Sequence, residues 1–121
     1  AQASPDRYDH ELAFQTALPH FQKLRARGVK SLVECTPRYI GRNVALLRRL
    51  SEASGVQIVT NTGWYAAVNH KFLPSEAHTE SAEQIAARWL AEWRGIEGIG
   101  RQTKLIRPGF LKLGTGSGPL P

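Results

Sequence analysis

The segment VKSLVECTPRYIGRNVALLRRLSEASGVQIVTN, residues 29–61, decides the fold because two apolar runs enclose one helical pattern. The runs at residues 29–35 and 56–61 are short and rich in β-branched side chains, which is typical of strands. Residues 43–54 between them have helical periodicity, with an asparagine at the start and a glycine just after the end. This succession predicts a parallel βαβ unit.

Helical and extended patterns continue on both sides of this unit. Residues 9–27 predict a helix bent or broken at Pro19. Ser81 begins a third helix with a capping-box pattern, Gly95 ends it, and residues 109–113 predict a third strand. The order α-β-α-β-α-β predicts an α/β fold with a parallel sheet, either a small doubly wound sheet or a segment of a (β/α)8 TIM barrel. A complete barrel needs about 250 residues, so the barrel interpretation requires a partial domain.

The composition excludes several classes of protein. The chain has 121 residues, of which 41% are hydrophobic, and a net charge of +6. No apolar run approaches the roughly 18 to 20 residues of a membrane span, and no signal-peptide pattern begins the chain, which favours a cytoplasmic protein without a membrane partner. Basic and acidic residues are mixed along the helices, which favours a solvated surface over a nucleic-acid partner. The single cysteine, Cys35, is expected to be buried.

The carboxyl ends of parallel strands are the edge where α/β proteins bind ligands. At that edge the first strand places Glu34 and Thr36, the second is followed by Trp64 and Tyr65, and the third contains Lys112. The connection after the second strand is long, and long loops are frequently functional. Trp64 and Tyr65 are therefore either the walls of a substrate pocket or packing residues of the loop itself.

Lys112 interrupts the apolar run Phe110-Leu111-Lys112-Leu113. Strand alternation places Phe110 and Lys112 on one face, and Leu111 and Leu113 on the other, toward the helices. Lys112 is then either an edge-strand lysine that prevents aggregation or a functional group. A desolvated lysine has a fraction of neutral amine, which can add carbon dioxide. The resulting carbamate is an anion that can bridge two divalent metals.

Other chemical motifs are missing from the sequence. The four histidines form neither H-x-H nor H-E-x-x-H. The segment GTGSG, residues 114–118, lacks the lysine followed by serine or threonine of a phosphate-binding loop. The remaining candidate functional residues are Lys112 and the residues at the carboxyl ends of the strands.

Three pieces of the sequence together resemble the phosphotriesterase-like branch of the amidohydrolase superfamily, which contains phosphotriesterases and lactonases. They are T-P-R-Y-I-G-R-N at residues 36–43, T-G-W-Y at residues 62–65, and F-L-K-L-G-T-G around Lys112, within a match over residues 20–116. The resemblance implies a TIM barrel with two divalent ions, typically zinc, in its mouth. It also implies a hydrolase that attacks phosphoesters, lactones or carboxylic esters with a metal-bridging hydroxide.

The resemblance assigns roles to individual residues. Lys112 is similar to the family's carboxylated lysine on the fourth barrel strand, the catalytic-site ligand that bridges both metals. Tyr65 is similar to the aromatic residue that lines the substrate pocket, with Trp64 beside it. Glu34 and Thr36 would support the site from behind the metal ligands.

The resemblance also implies that residues 1–121 are one partial domain, the N-terminal half of a barrel without its first strand, covering about strands two to four. The family's other ligands have no counterpart in this sequence. They are an H-x-H on the first strand, histidines on the fifth and sixth, and an aspartate on the eighth. The segment alone is therefore expected to be inactive. A homodimer is compatible with the resemblance. A small basic α/β binding module and a non-catalytic barrel piece stay open as alternatives.

Overall fold

The computed structural model describes residues 8–96 and 105–118, so the predicted domain of residues 1–121 also includes residues outside this description. The predicted helices and strands are present, but the second strand is divided in two, and a short helix that was not predicted lies in the connection after it. The elements are α1 (His10–Ala26), β1 (Ser31–Val33), α2 (Val44–Ser54), β2 (Gln57–Val59), β3 (Asn61–Thr62), α3 (Glu76–Thr79), α4 (Ala82–Arg94) and β4 (Phe110–Leu111). Among the described helices, none combines the length and apolar character needed to cross a bilayer.

The local signals for α2 and α4 are confirmed. The Asn43 side chain accepts a hydrogen bond from the Leu46 backbone N–H at 3.0 Å, and Gly55 ends α2 in the left-handed conformation with φ +72°. Ser81 and Gln84 form both bonds of the predicted capping box at the start of α4. These bonds satisfy backbone groups that a helix end otherwise leaves without partners.

The expected break of α1 at Pro19 is wrong. The helix continues from His10 to Ala26 with Pro19 inside it, on an exposed position. Proline has no N–H and loses one intrahelical hydrogen bond. The helix packs against α2, where the Arg49 guanidinium lies 3.9 Å from the Phe14 ring centre.

The strands are parallel and lie in sequential order. β1 pairs with β2, and β3 pairs with β4, with Asn61 opposite Phe110. Only Thr60 separates β2 from β3, so this one segment joins β1 on one side to β4 on the other. A doubly wound sheet reverses its strand order at a switch point, whereas a barrel keeps sequential neighbours. The observed order favours the barrel segment over the doubly wound alternative.

The core lies between the β2–β3 segment and the helices α2 and α4. Its buried apolar residues are Leu50, Val56 and Trp64. Leu111 lies opposite Thr62, whose hydroxyl donates to Glu92 of α4, so Leu111 is on the side of the sheet that faces the helices, as expected. The side chains of Leu111 and Leu113 are nevertheless 46% and 54% exposed. No described helix covers them.

Candidate functional site

Lys112 directly follows β4 and reaches across to the exit of β1. Its backbone N–H donates to the Thr62 carbonyl at 2.8 Å, and its side-chain Nζ donates to the Cys35 carbonyl at 2.8 Å. The end of the last described strand therefore meets the turn after the first. Cys35 itself is exposed, contrary to the expectation of burial, because the turn presents its side chain to solvent while its carbonyl faces Lys112.

Glu34 and Thr36 belong to the same turn and bond to each other. Glu34 Oε1 accepts hydrogen bonds from the Thr36 backbone N–H, at 2.8 Å, and from the Thr36 hydroxyl. Glu34 Oε2 is buried and has no hydrogen-bond partner among the described residues. One carboxylate oxygen closes the turn, and the other is available to a group that the described residues do not supply.

Asn61 connects this turn to the neighbouring strand. Its fully buried side chain donates from Nδ2 to the carbonyls of Glu34, at 3.1 Å, and Thr36, at 3.0 Å. Its Oδ1 has no partner within residues 8–96 and 105–118. We name the group of Glu34, Cys35, Thr36, Asn61 and Lys112 the lysine cluster. No role was predicted for Asn61 from the sequence, although an amide at the end of an apolar strand is a signal for one.

Tyr65 adjoins the lysine cluster from the loop after β3. Its ring centre lies 6.0 Å from Lys112 Nζ and 6.4 Å from the ring centre of Phe72. A Cβ on Gly114 would lie 2.0 Å from the Tyr65 ring, so the ring occupies space that only glycine leaves open. The structure thus brings the predicted pocket residue Tyr65 next to Lys112.

Trp64 points the other way, into the core. It is 8% exposed, and its ring makes edge contacts with Tyr39 and, at 5.5 Å between centres, with Trp89 on α4. Adjacent residues of an extended chain alternate in direction, which explains why Trp64 and Tyr65 lie on opposite sides.

A second polar group, the Arg42 network, lies on the helix side of β3. The Arg42 side chain, 4% exposed, forms two bonds of 3.0 and 3.1 Å with the Glu92 carboxylate, and its Nη1 donates to the Asn61 carbonyl at 2.6 Å. Glu92 also accepts from the Thr62 hydroxyl at 2.8 Å and from Arg38 at 3.1 Å. These four side chains join α4 to β3 and to the turn before α2.

The pKa of Glu92 reflects two opposing effects. Partial burial removes water from the carboxylate and raises its pKa, but hydrogen bonds and charges from Arg42, Thr62 and Arg38 outweigh this and hold the pKa below its ordinary value of 4.5. Glu92 was not among the residues predicted from the sequence. The available signal was its position three residues after Trp89, on the face of α4 that packs inward.

The described residues hold one candidate metal ligand and no complete metal centre. No group of three or more histidine, cysteine, aspartate or glutamate side chains within them could hold an ion. Lys112 nevertheless lies at the strand ends, and the buried Glu34 carboxylate keeps one oxygen without a partner. Lys112 after β4 and Glu34 after β1 therefore fit a part of a metal centre and not a complete one.

A cleft of about 460 Å³ lies elsewhere, between α2, β2 and residues 105–106. None of the residues that line it belongs to the lysine cluster, and Thr60 is the one that lies nearest to the cluster in sequence. We assign the candidate site to the strand ends because that edge carries chemistry in parallel α/β proteins, whatever the size of the cleft.

Comparisons with known proteins agree on one family. Residues 1–120 match the sequence profile described as Phosphotriesterase family. The chain is 30% identical over 98 residues to the phosphotriesterase homology protein of Escherichia coli (strain K12). The aligned segment covers 80% of this chain and 31% of that protein. It is 28% identical over 109 residues to the aryldialkylphosphatase of Saccharolobus solfataricus, covering 90% of this chain and 32% of that protein.

A solved structure shows the same likeness in three dimensions. A mutant of the organophosphorus hydrolase from Deinococcus radiodurans is 30% identical and superposes with a TM-score of 0.70 over 87% of this chain and 31% of the other. The chain therefore spans about a third of the length of the proteins that it matches.

Proposed function

The chain belongs to the phosphotriesterase family, and on that basis we propose that it forms part of a binuclear metal-dependent hydrolase acting on phosphoesters, lactones or carboxylic esters. The observation that carries this proposal is the position of Lys112. Its amine lies at the carboxyl edge of parallel strands, 2.8 Å from the Cys35 carbonyl and beside the Tyr65 ring. That edge is where barrel enzymes place their reacting groups.

The described strands would be part of a larger barrel. β1, the β2–β3 segment and β4 would be its second, third and fourth strands, since they are parallel and sequential. The exposed side chains of Val33 and Leu111, at 60% and 46%, would be covered by elements beyond this segment. The remaining metal ligands would come from those elements too, and the segment alone would be inactive.

Lys112 would hold the metals as a carbamate. Its Nζ would form a bond to the carbon of carbon dioxide, one C=O electron pair would move to oxygen, and the ammonium would release two protons to water. The product has the oxygen donors that a bridging ligand needs. Two divalent ions, zinc being our expectation, would lower the pKa of a water molecule and polarise the P=O or C=O group of the ester.

Substrate contact is proposed for Tyr65. Its ring borders Lys112 and is held in place by Phe72 and Gly114, so it offers a rigid aromatic wall to the organic part of an ester. Trp64, which contacts Trp89, would shape the pocket from behind by fixing the turn that carries Tyr65. Glu34 and Thr36 would support the site by holding the turn that faces Lys112.

The test measures bound metal and ester hydrolysis in the Lys112→Ala variant and in the unchanged parent, each prepared as the longest natural form of the protein. We expect about two divalent ions per chain in the parent, and their loss together with at least about a thousandfold fall in ester hydrolysis in Lys112→Ala. A short carboxylic acid should restore part of both. Lys23→Ala, on an exposed position of α1, is the control. A parent protein without bound metal, or a fully active Lys112→Ala, would refute the proposal.

Two other functions are less well supported. A basic α/β binding module would use the net charge of +6, and its retention on a polyanion column would fall steeply with salt. A non-catalytic barrel piece would bind no metal in the test above. The homodimer stays a prediction, which a mass measurement in solution would check.

A further inference from the structure

We propose that Asn61 is a positioning residue that orients Lys112 through the Cys35 carbonyl, both before and after carboxylation. The inference rests on the proposed function, because it assumes that Lys112 becomes a carbamate. It adds a residue that the sequence motifs of the family resemblance do not contain, and it assigns a task to the backbone of the turn after β1.

Three successive carbonyls in this turn have two different partners. Asn61 Nδ2 takes the first and the third, those of Glu34 and Thr36, at 3.1 and 3.0 Å. The middle carbonyl, that of Cys35, accepts from Lys112 Nζ at 2.8 Å. Because the flanking carbonyls are held by one amide group, the Cys35 carbonyl keeps a fixed direction toward Lys112.

The position of Asn61 is itself well determined. Its side chain is fully buried, and its own carbonyl accepts from Arg42 at 2.6 Å. Its backbone is paired with Phe110, two residues before Lys112. The same residue therefore contacts the turn that carries the acceptor and the strand that carries the lysine. A shift of the Asn61 side chain would take the amide donor away from two part-buried carbonyls, which is unfavourable.

The chemistry of the carbamate gives this arrangement a use. A lysine ammonium has three N–H donors, and a carbamate on the same nitrogen keeps one. The Cys35 carbonyl can accept from the nitrogen in both states. The C–N bond of a carbamate is planar by the same resonance as a peptide bond, so the direction of its N–H fixes the direction of its carboxylate. A fixed carbonyl would thereby hold the carboxylate of the carbamate in one orientation for metal binding.

The test replaces Asn61 by aspartate in the longest natural form of the protein. Asn61→Asp keeps the shape of the side chain but removes both N–H donors and sets a carboxylate against two carbonyl oxygens. We expect carbamate occupancy, measured by carbon-13 NMR after addition of labelled bicarbonate, to fall. Zinc affinity should fall about tenfold, as for residues that support metal ligands. Excess bicarbonate should restore both in Asn61→Asp, and neither in Lys112→Ala.

Asn43→Asp is the matched control, because the Asn43 side chain caps α2 as an acceptor and aspartate can do the same. It should leave carbamate occupancy and zinc affinity unchanged. Normal carbamate occupancy in Asn61→Asp, even with a lowered unfolding midpoint, would overturn the inference and leave the proposed function intact. Absence of a carbamate from the parent protein would overturn both. If Asn61→Asp fails to fold, Asn61→Ser, with one donor for two carbonyls, carries the same expectation and is judged by the same two measurements.

Discussion

The lysine cluster and the Arg42 network lie on opposite sides of β3 and differ in how their polar groups are satisfied. In the Arg42 network, the Arg42 guanidinium and the Glu92 carboxylate pair with each other, and Thr62 adds a hydrogen bond. In the lysine cluster, Glu34 Oε2 and Asn61 Oδ1 are buried without a partner among the described residues. The first group is complete within the described chain, and the second is open to a ligand.

This difference indicates that two neighbouring residues, Asn61 and Thr62, have separate structural roles. Asn61 and Thr62 are adjacent, and their side chains serve opposite sides of the sheet, as the alternation of a strand requires. Thr62 helps to hold α4 in place through Glu92, while Asn61 holds the turn that faces Lys112. A rigid ion pair on one side would therefore support a site with unused hydrogen-bonding capacity on the other.

The largest effect on stability is expected for Glu92→Gln, which breaks the ion pair of the Arg42 network. This change leaves the buried Arg42 guanidinium without its counterion, and breaking a buried pair in this way costs about 3–5 kcal/mol of unfolding free energy. Denaturant unfolding of the longest natural form measures the loss. The control is Glu52→Gln, which breaks the more exposed pair with Arg48 in α2 and should cost only about 0.3–0.5 kcal/mol. Equal losses of unfolding free energy in the two variants would show that the Arg42 network stabilises the fold no more than an exposed ion pair does.

Gly63 directly follows Thr62 of the Arg42 network and packs against the backbone of Lys112 in the lysine cluster. Gly63 has φ +104°, and a Cβ there would lie 2.2 Å from the Lys112 carbonyl oxygen. Gly63→Ala should therefore destabilise the fold by about 2–3 kcal/mol and displace Lys112, and the metal binding proposed for Lys112 should be lost with it. Gly28→Ala is the matched control, since Gly28 has φ +89° but no atom near its Cβ position, and it should cost about 1–2 kcal/mol. A Gly63→Ala protein with the unfolding curve of Gly28→Ala would contradict the close packing.

The smallest expected effect is a pH dependence of the Arg42 network. The folded protein holds the pKa of Glu92 below its ordinary value of 4.5, so the unfolded chain binds the proton more readily. The stabilisation from Glu92 is therefore fully present above pH 4.5 and is lost as the pH falls below 4.5 through the lower, folded pKa. The difference in unfolding free energy between the parent and Glu92→Gln should shrink in that range. A difference that stays constant down to strong acid would refute this origin of the stability.

Local features were predictable because they depend on neighbours in the chain. The caps at Asn43 and Ser81 satisfy backbone donors within three residues, and the glycine after α2 adopts its positive φ without steric conflict. Pro19 shows the limit of such rules, since α1 continues from His10 to Ala26 with the proline inside it. The alternation of helices and strands was sufficient to predict a parallel sheet, and the order of the strands in space then favoured the barrel segment.

The sequence by itself determined the helices α1, α2 and α4, the parallel sheet, the family resemblance and the candidacy of Lys112 and Tyr65. Only the tertiary structure decided which side chains meet. Arg42 and Glu92 lie 50 positions apart, and Lys112 lies 77 positions from the carbonyl to which it donates. The periodicity of the sequence does not specify such partners. A hydrogen bond between distant segments depends on the register of the strands and on which polar groups lose their contact with water when they are buried.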